Sequence, residues 1–135
     1  MDVPGFLARQ FYVAGSLRNT PTGFRLEARN PMGNGTLVGI GRLAVDGRTI
    51  AASDVSALRP DDPTPIQAAA VDRFHPIRVA KGDHVALLVA GAPLAPGQHR
   101  LEVELYEVNL GLLRLAINDD LAPADGPPPS APAAP

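Results

Sequence analysis

The sequence contains no cysteine and no tryptophan, and aromatic residues make up only 4% of its 135 residues. Without cysteine there is no disulfide framework, no thiolate nucleophile and no cysteine-ligated metal site. Twelve Lys and Arg residues stand against 14 Asp and Glu residues, so the basic excess that nucleic-acid binding demands is missing. No apolar run reaches the roughly 18 residues of a membrane-spanning helix, and we predict no contact with a membrane.

The start of the chain does not resemble a secretory signal. Residues 1–16 have neither a positively charged first segment nor a continuous apolar segment after it, and a signal peptide needs both. Together with the lack of cysteine, this pattern favours a cytoplasmic protein.

The length and the distribution of proline predict one folded domain followed by a tail. A chain of 135 residues fits a single domain. Proline and alanine dominate residues 122–135, and proline lacks the backbone N–H that helices and strands use. We predict a folded domain over 1–121 and a flexible tail over 122–135.

Apolar and polar residues alternate along most of the predicted domain, which is typical of half-buried antiparallel strands. The segments that show this pattern, or an apolar row, are 11–17, 23–29, 36–45, 98–108 and 112–117. Residues 84–90 are apolar on both faces and predict a covered, central strand. Only the proline-rich segment 53–70 departs from the pattern, and we predict one short helical turn there, near 54–58.

Turn residues separate these segments and indicate the fold class. Asp46-Gly47 predicts a tight turn, and the glycines Gly39 and Gly41 inside a strand predict a bulge or a close backbone approach. Seven to nine short strands with this spacing predict an all-β protein. We expect a single-domain antiparallel two-sheet β-sandwich, jelly-roll-like in outline.

The three histidines do not form a recognisable site. His75, His84 and His99 lack the spacing of metal ligands, and no carboxylate lies beside them in a catalytic pattern. His99 follows a Pro-Gly turn, where we expect its imidazole to hydrogen-bond the turn backbone.

The acidic residues likewise predict structure rather than catalysis. Glu102 and Glu104 occupy one face of a predicted strand, roughly 6–7 Å apart, a separation that falls between those of retaining and inverting glycosidase pairs. Because Arg100 shares that face, we interpret the row as an ordinary solvated strand surface. We therefore predict no catalytic residue and no bound metal or cofactor in this chain.

One loop is longer than a tight hairpin needs, and it joins two well-defined strands. Its glycines permit unusual backbone conformations, and its methionine provides an adaptable apolar tip. An ordinary hairpin loop and a partner-contacting loop both remain open. The predicted partner-contact residues are Arg29, Asn30, Pro31, Met32, Gly33, Asn34 and Gly35.

The order of several short motifs resembles the small β subunits of bacterial C-glycoside deglycosidases. The motifs are Arg29-Asn30-Pro31, Gly35, Leu37, Ile40, Leu43, Val45-Asp46-Gly47, Leu94-x-Pro96-Gly97 and His99-x-Leu101-x-Val103. The resemblance implies a non-catalytic subunit that stabilises a (β/α)₈-barrel α subunit and shapes its substrate entrance. It also implies that the α subunit holds Mn²⁺ or a similar divalent metal. The complex would cleave the C–C bond of 3-oxo-C-glycosides by elimination, because a keto group acidifies the neighbouring proton and a metal polarises its carbonyl.

Two other classes of function remain as alternatives. A stand-alone carbohydrate-binding β-sandwich is disfavoured because Tyr12 and Tyr106 are the only tyrosines and tryptophan is absent, whereas such modules usually present planar aromatic rings to sugars. A small hydrolase or isomerase would need a His/Asp site that only the tertiary structure could assemble.

Overall fold

A computed structural model describes residues 1–121. The segments in which apolar and polar residues alternate form most of this structure. The tail predicted for 122–135 lies outside the described residues. Within the described part of the chain there is one α-helix, α1, over Gly5–Phe11. The strands are β1 (Arg18–Thr20), β2 (Gly23–Arg29), β3 (Gly35–Val45), β4 (Arg48–Thr49), β5 (Val55–Leu58), β6 (Ile66–Gln67), β7 (Ile77–Val79), β8 (His84–Ala90), β9 (Gly97–Glu107) and β10 (Gly111–Leu121).

These strands form two sheets in a single domain, as the sequence predicts. One sheet has the order β1-β2-β8-β5-β6, and the other has the order β10-β9-β3-β4 with β7 also paired to β3. Every pairing between these strands is antiparallel. Among residues 1–121, no helix has the length and apolar character needed to cross a bilayer.

The inward faces of the two sheets share one hydrophobic core. Leu26 and Leu87 contribute from the first sheet, and Leu43 and Leu101 contribute from the second, each only 1% exposed. β8 lies between β2 and β5, which explains its apolar sequence and confirms the prediction of a central strand.

β3 is irregular where it passes β9. The pairing register shifts between Leu37 and Gly39 and again between Ile40 and Leu43. A Cβ atom on Gly39 would lie 3.0 Å from the ring of Tyr106, so the ring packs directly against backbone. The glycines therefore mark both a bulge and a close approach, as predicted.

Two local predictions are wrong. In the segment 11–17, Phe11 ends α1, Tyr12 makes an isolated bridge to Ala28 and Gly15 turns the chain at a φ of 79°. The helix has no side-chain N-cap, and the carbonyl of Pro4 accepts the N–H groups of Leu7 and Ala8 instead. Packing on the sandwich, which the local sequence does not reveal, selects a helix over Gly5–Phe11 and leaves residues 12–17 without a regular strand.

The predicted helical turn near 54–58 is also wrong. A 3₁₀ turn covers Ala52–Asp54, and the next four residues form β5. Val55 and Ala57 are buried while their neighbours are half-buried, because pairing with β8 places alternate residues in the core.

Candidate binding site

A cavity of about 270 Å³ lies between the two sheets at one end of the sandwich, which we call the open end. Its apolar walls come from both sheets and from the end of α1. The wall residues are Phe11, Ala28, Leu37, Val79, Val85, Leu87, Leu105 and Leu113. Two exposed apolar side chains, Met32 and Leu110, lie at its edge.

The loop that the sequence singles out forms the rim of this cavity. Of the predicted partner-contact residues, Arg29, Asn30, Met32, Gly33, Asn34 and Gly35 line the cavity, and Pro31 does not. The structure thus brings most of the predicted set together at one place. Contact of this loop with a partner stays a prediction.

Asn30 gives the rim loop its shape. Its side-chain N–H groups donate to the carbonyls of Gly33 at 2.7 Å and Val79 at 3.1 Å. Its side-chain oxygen accepts the backbone N–H of Met32 at 3.0 Å. These bonds tie the loop to itself and to β7, so the loop is held against the cavity although it lacks regular structure.

Glu107 holds the adjoining part of the rim in a similar way. Its carboxylate accepts the backbone N–H groups of Thr36 at 3.0 Å, Asn109 at 2.8 Å and Leu110 at 2.9 Å. Burial acts to raise the pKa of Glu107, but the N–H groups of Thr36 and of the following turn outweigh it and lower that pKa. The carboxylate is therefore ionised and occupied by the backbone.

Neither Glu107 nor the cavity walls can be recognised as a site from the sequence. Glu107 ends a strand whose preceding acids face solvent, so nothing local separates it from Glu102 and Glu104. The wall residues are apolar members of alternating strands, which predict burial but not an unfilled space. The alternation could identify them as core residues and no more.

The other end of the sandwich, which we call the closed end, carries a set of polar contacts around His99. The two ring nitrogens of His99 lie 2.6 Å from a carboxylate oxygen of Asp46 and 2.6 Å from the carbonyl oxygen of Ala95. The contact with the turn backbone confirms the prediction for His99. The carboxylate partner, 53 residues away in sequence, was not predicted.

This arrangement stabilises the charged form of the imidazole. Both nitrogens face acceptors, and only the imidazolium can donate to both. The Ala95 carbonyl and then Asp46 raise the pKa of His99, whereas the backbone N–H of Arg100 and then His99 lower the pKa of Asp46. His99 is 9% exposed, so its ring serves the fold rather than a ligand.

Asp119, which pairs with His99 in the β9–β10 ladder, binds the segment after α1. Its carboxylate accepts the hydroxyl of Tyr12 at 2.5 Å and the backbone N–H groups of Gly15 and Leu17 at 3.1 and 3.3 Å. Burial and the bond to Asp119 raise the pKa of Tyr12, so the phenol remains a donor at physiological pH.

The remaining candidate residues lie on the surface and apart from one another. His75 contacts Asp72, and His84 contacts Glu27, each at 3.2 Å. Glu102 and Glu104 pair with arginines on the outer face of the second sheet, which agrees with a solvated charged row. Across residues 1–121, no three His, Asp or Glu side chains form a group that could hold a metal ion.

The fold and this site define an antiparallel β-sandwich with an apolar cavity at one end. A family model described as hydroxymethylglutaryl-CoA reductase, N-terminal domain, matches residues 7–122. The chain therefore belongs to this family. A search of curated proteins found no match.

The family match overturns the identification as a C-glycoside deglycosidase subunit, and the C–C lyase function inferred from it is wrong. The motifs that carried the resemblance serve the turns of the sandwich. Asp46 and Gly47 adopt positive φ values of 52° and 83°, Gly97 has a φ of 113°, and His99 binds Asp46. Such residues meet backbone requirements of a fold and do not specify an activity. Only that resemblance implied the barrel partner, its metal and the sugar substrate, so we do not propose them for this chain.

Proposed function

We propose that this chain is a ligand-binding domain that takes a small apolar group into the cavity at its open end. The observation that carries this proposal is a space of about 270 Å³ bounded by apolar side chains of both sheets. Protein interiors are normally close-packed, with few voids larger than a water molecule. An apolar ligand in this space would cover the apolar surface that is still exposed at its walls and edge, and would gain about 25 cal/mol for each Å² removed from water.

The volume of the cavity limits the size of the ligand. A cavity of about 150 Å³ lined by apolar side chains accommodates benzene. The present cavity, about 270 Å³, therefore fits two fused rings or a branched chain of about ten carbons.

The chemistry of the walls favours a hydrocarbon over a sugar. Asn30 and Glu107 use their hydrogen-bonding groups on the rim backbone, and the inner walls are aliphatic apart from Phe11. A sugar buried against these inner walls would lose hydrogen bonds to water that the walls do not replace, at a cost of about 1–3 kcal/mol for each polar group. This disfavours the alternative of a carbohydrate-binding module.

We propose, further, that the domain binds its ligand without chemical change and does not itself catalyse the reduction of a thioester. The polar groups at the cavity that could act as an acid or base, Asp83 and Glu107, are engaged by backbone N–H groups. The family description names a reductase, and the reductive chemistry would belong to another part of such an enzyme. The cytoplasmic location expected from the sequence is kept as part of this proposal, and cell fractionation tests it.

The test is a titration of the purified chain with 2-naphthylmethanol, a neutral two-ring probe, followed by ¹H–¹⁵N NMR. We expect saturable shifts concentrated at cavity residues such as Val85, Leu105 and Leu113. Replacing Ala28, which lines the cavity, by phenylalanine should fill the space and weaken binding at least tenfold.

Ala116→Phe is the matched control, because Ala116 is an exposed alanine in a strand of the other sheet. It should bind the probe like the wild type. Circular dichroism must show that both variants are folded. The proposal fails if the wild type shows no saturable shifts at the cavity, or if Ala28→Phe binds as tightly as Ala116→Phe.

A further inference from the structure

The charged side chains at the rim of the cavity differ in whether groups of the protein itself already compensate their charge. Three charged residues line the cavity: Arg29, Asp83 and Glu107. Glu107 accepts three backbone N–H groups, and Asp83 accepts the backbone N–H of Ala80 at 2.8 Å. Both carboxylates are thus compensated by backbone dipoles.

Arg29 is the one lining residue with a positive charge, and its charge is not compensated within residues 1–121. Its Nε donates to the carbonyl of Gln10 at 2.9 Å, which holds the guanidinium beside the end of α1. Its terminal nitrogens make no hydrogen bond or ion pair to the described part of the chain. A guanidinium held in this way presents a planar pair of donors that matches the geometry of a carboxylate.

We propose that the ligand is an apolar carboxylic acid, whose hydrocarbon part fills the cavity and whose carboxylate pairs with Arg29. This inference rests on the proposed function, because it assigns a head group to the ligand of the same cavity. The body would contain about ten carbons, in keeping with the volume. The pair forms at the rim, where Arg29 is exposed, so its contribution to affinity is moderate.

Three matched probes test the proposal: 2-naphthoate, the neutral 2-naphthylmethanol and the cationic 2-naphthylmethylammonium. Calorimetry with the full chain at pH 7 and low salt should give a dissociation constant for naphthoate about fivefold below that of the alcohol, and the ammonium probe should bind most weakly. The preference should shrink at about 300 mM salt because the pair lies in reach of solvent.

The ratio of naphthoate to alcohol affinity, measured within each variant, isolates the role of Arg29. Arg29→Gln should bring this ratio close to one, and Arg29→Lys should restore part of it. Arg78→Gln is the matched control: Arg78 is an exposed arginine of β7 that does not line the cavity, and its loss changes the net charge equally. It should keep the wild-type ratio.

The outcomes separate this inference from the proposed function. If no probe binds at the cavity, the proposed function fails and this inference fails with it. If the alcohol binds but naphthoate binds no better, or if the ammonium probe binds best, only the assignment of an acid is overturned. A preference that survives Arg29→Gln also overturns it.

Discussion

The two ends of the sandwich use polar side chains in opposite ways. At the closed end, His99 and Asp119 bond to residues far away in sequence, and their side chains occupy the space between segments. At the open end, Asn30 and Glu107 bond mainly to the backbone of nearby loops, and the space between the sheets stays open. The contacts of the closed end stabilise the fold, and the open space at the other end is the place where we propose that a ligand binds.

The same strand, β9, runs through both ends, so the difference does not come from different types of strand. His99 lies near its start and Glu107 is its last residue. The eight residue steps from His99 to Glu107 correspond to about 26 Å of strand at about 3.3 Å per residue. The two ends differ in the segments that lie there. Loop 91–96 and the Asp46-Gly47 turn lie at the closed end, whereas the rim loop lies at the open end.

The largest expected change in stability comes from removing the Asp119 side chain at the closed end. Asp119→Ala should lower the free energy of unfolding by about 2–3 kcal/mol, because the Tyr12 hydroxyl and two backbone N–H groups lose their acceptor. Urea denaturation measures this change. Asp120→Ala, at the exposed neighbouring position, is the control and should cost less than about 0.5 kcal/mol. Equal losses for the two variants would contradict the role given to Asp119.

Filling the open end with a ligand should have the next largest effect. A free probe concentration ten times the dissociation constant stabilises the folded state by about 1.4 kcal/mol, since only the folded state binds. Thermal denaturation of the wild type with 2-naphthylmethanol should show this gain, and Ala28→Phe should not show it at the same probe concentration. A gain of equal size in both proteins would place binding outside the cavity.

The His99 contacts should make stability depend on pH. The folded-state pKa of His99 is raised above its ordinary value of 6.5, so this contribution is complete below about pH 6.5. It is lost as the pH rises through the folded-state pKa. Because Asp46 is half exposed, we expect a loss of only about 1 kcal/mol. Asp46 acts at the acid end: its pKa is lowered, so its contribution disappears as the pH falls below the ordinary range of aspartate.

Urea unfolding of the wild type between pH 6 and pH 9 tests this dependence. His99→Gln should flatten the curve over that range, while His84→Gln, at an exposed position, should keep the wild-type slope. The side chain of Arg48 and the backbone N–H of Arg100 also lie close to Asp46. The stabilising role given to His99 is contradicted if the wild-type protein shows no such loss of stability, or if His99→Gln leaves the pH dependence unchanged.

The outer face of the second sheet should give the smallest effect. Glu102→Gln removes contacts of 3.7 Å to Arg42 and 4.0 Å to Arg100, and these side chains are at least 32% exposed. Exposed pairs of this kind contribute about 0–1 kcal/mol, and we expect a change below about 0.5 kcal/mol in urea denaturation. A larger loss of unfolding free energy would contradict the interpretation of Glu102 as part of a solvated charged row.

The sequence predicted the long strands well because each carries its own evidence. β2, β3, β8 and β9 agree with the predicted segments to within about one residue at each end. Their side chains alternate, and alternation is a local consequence of strand geometry. α1 and β5 were missed because they are short, and contacts with distant strands decide their conformation.

The candidate site was predictable only in part. The rim loop could be singled out because its length and its glycines are visible in the sequence. The cavity behind it needs residues of α1, β2, β3, β7, β8, β9 and β10 in one place, and no local pattern reports an unfilled volume. The same limit explains why the resemblance to C-glycoside deglycosidase subunits is wrong, since residues that shape turns do not by themselves mark a function.

The amino-acid sequence by itself determined the all-β class, the long strands, the turns and the residues of the rim loop, because each follows from backbone preferences and side-chain alternation within a few residues. Only the tertiary structure decided that Asp46 meets His99, that Asp119 meets Tyr12 and that a cavity opens behind Arg29. Those features depend on how two twisted sheets pack, and packing brings together residues that lie 50 to more than 100 positions apart in the chain.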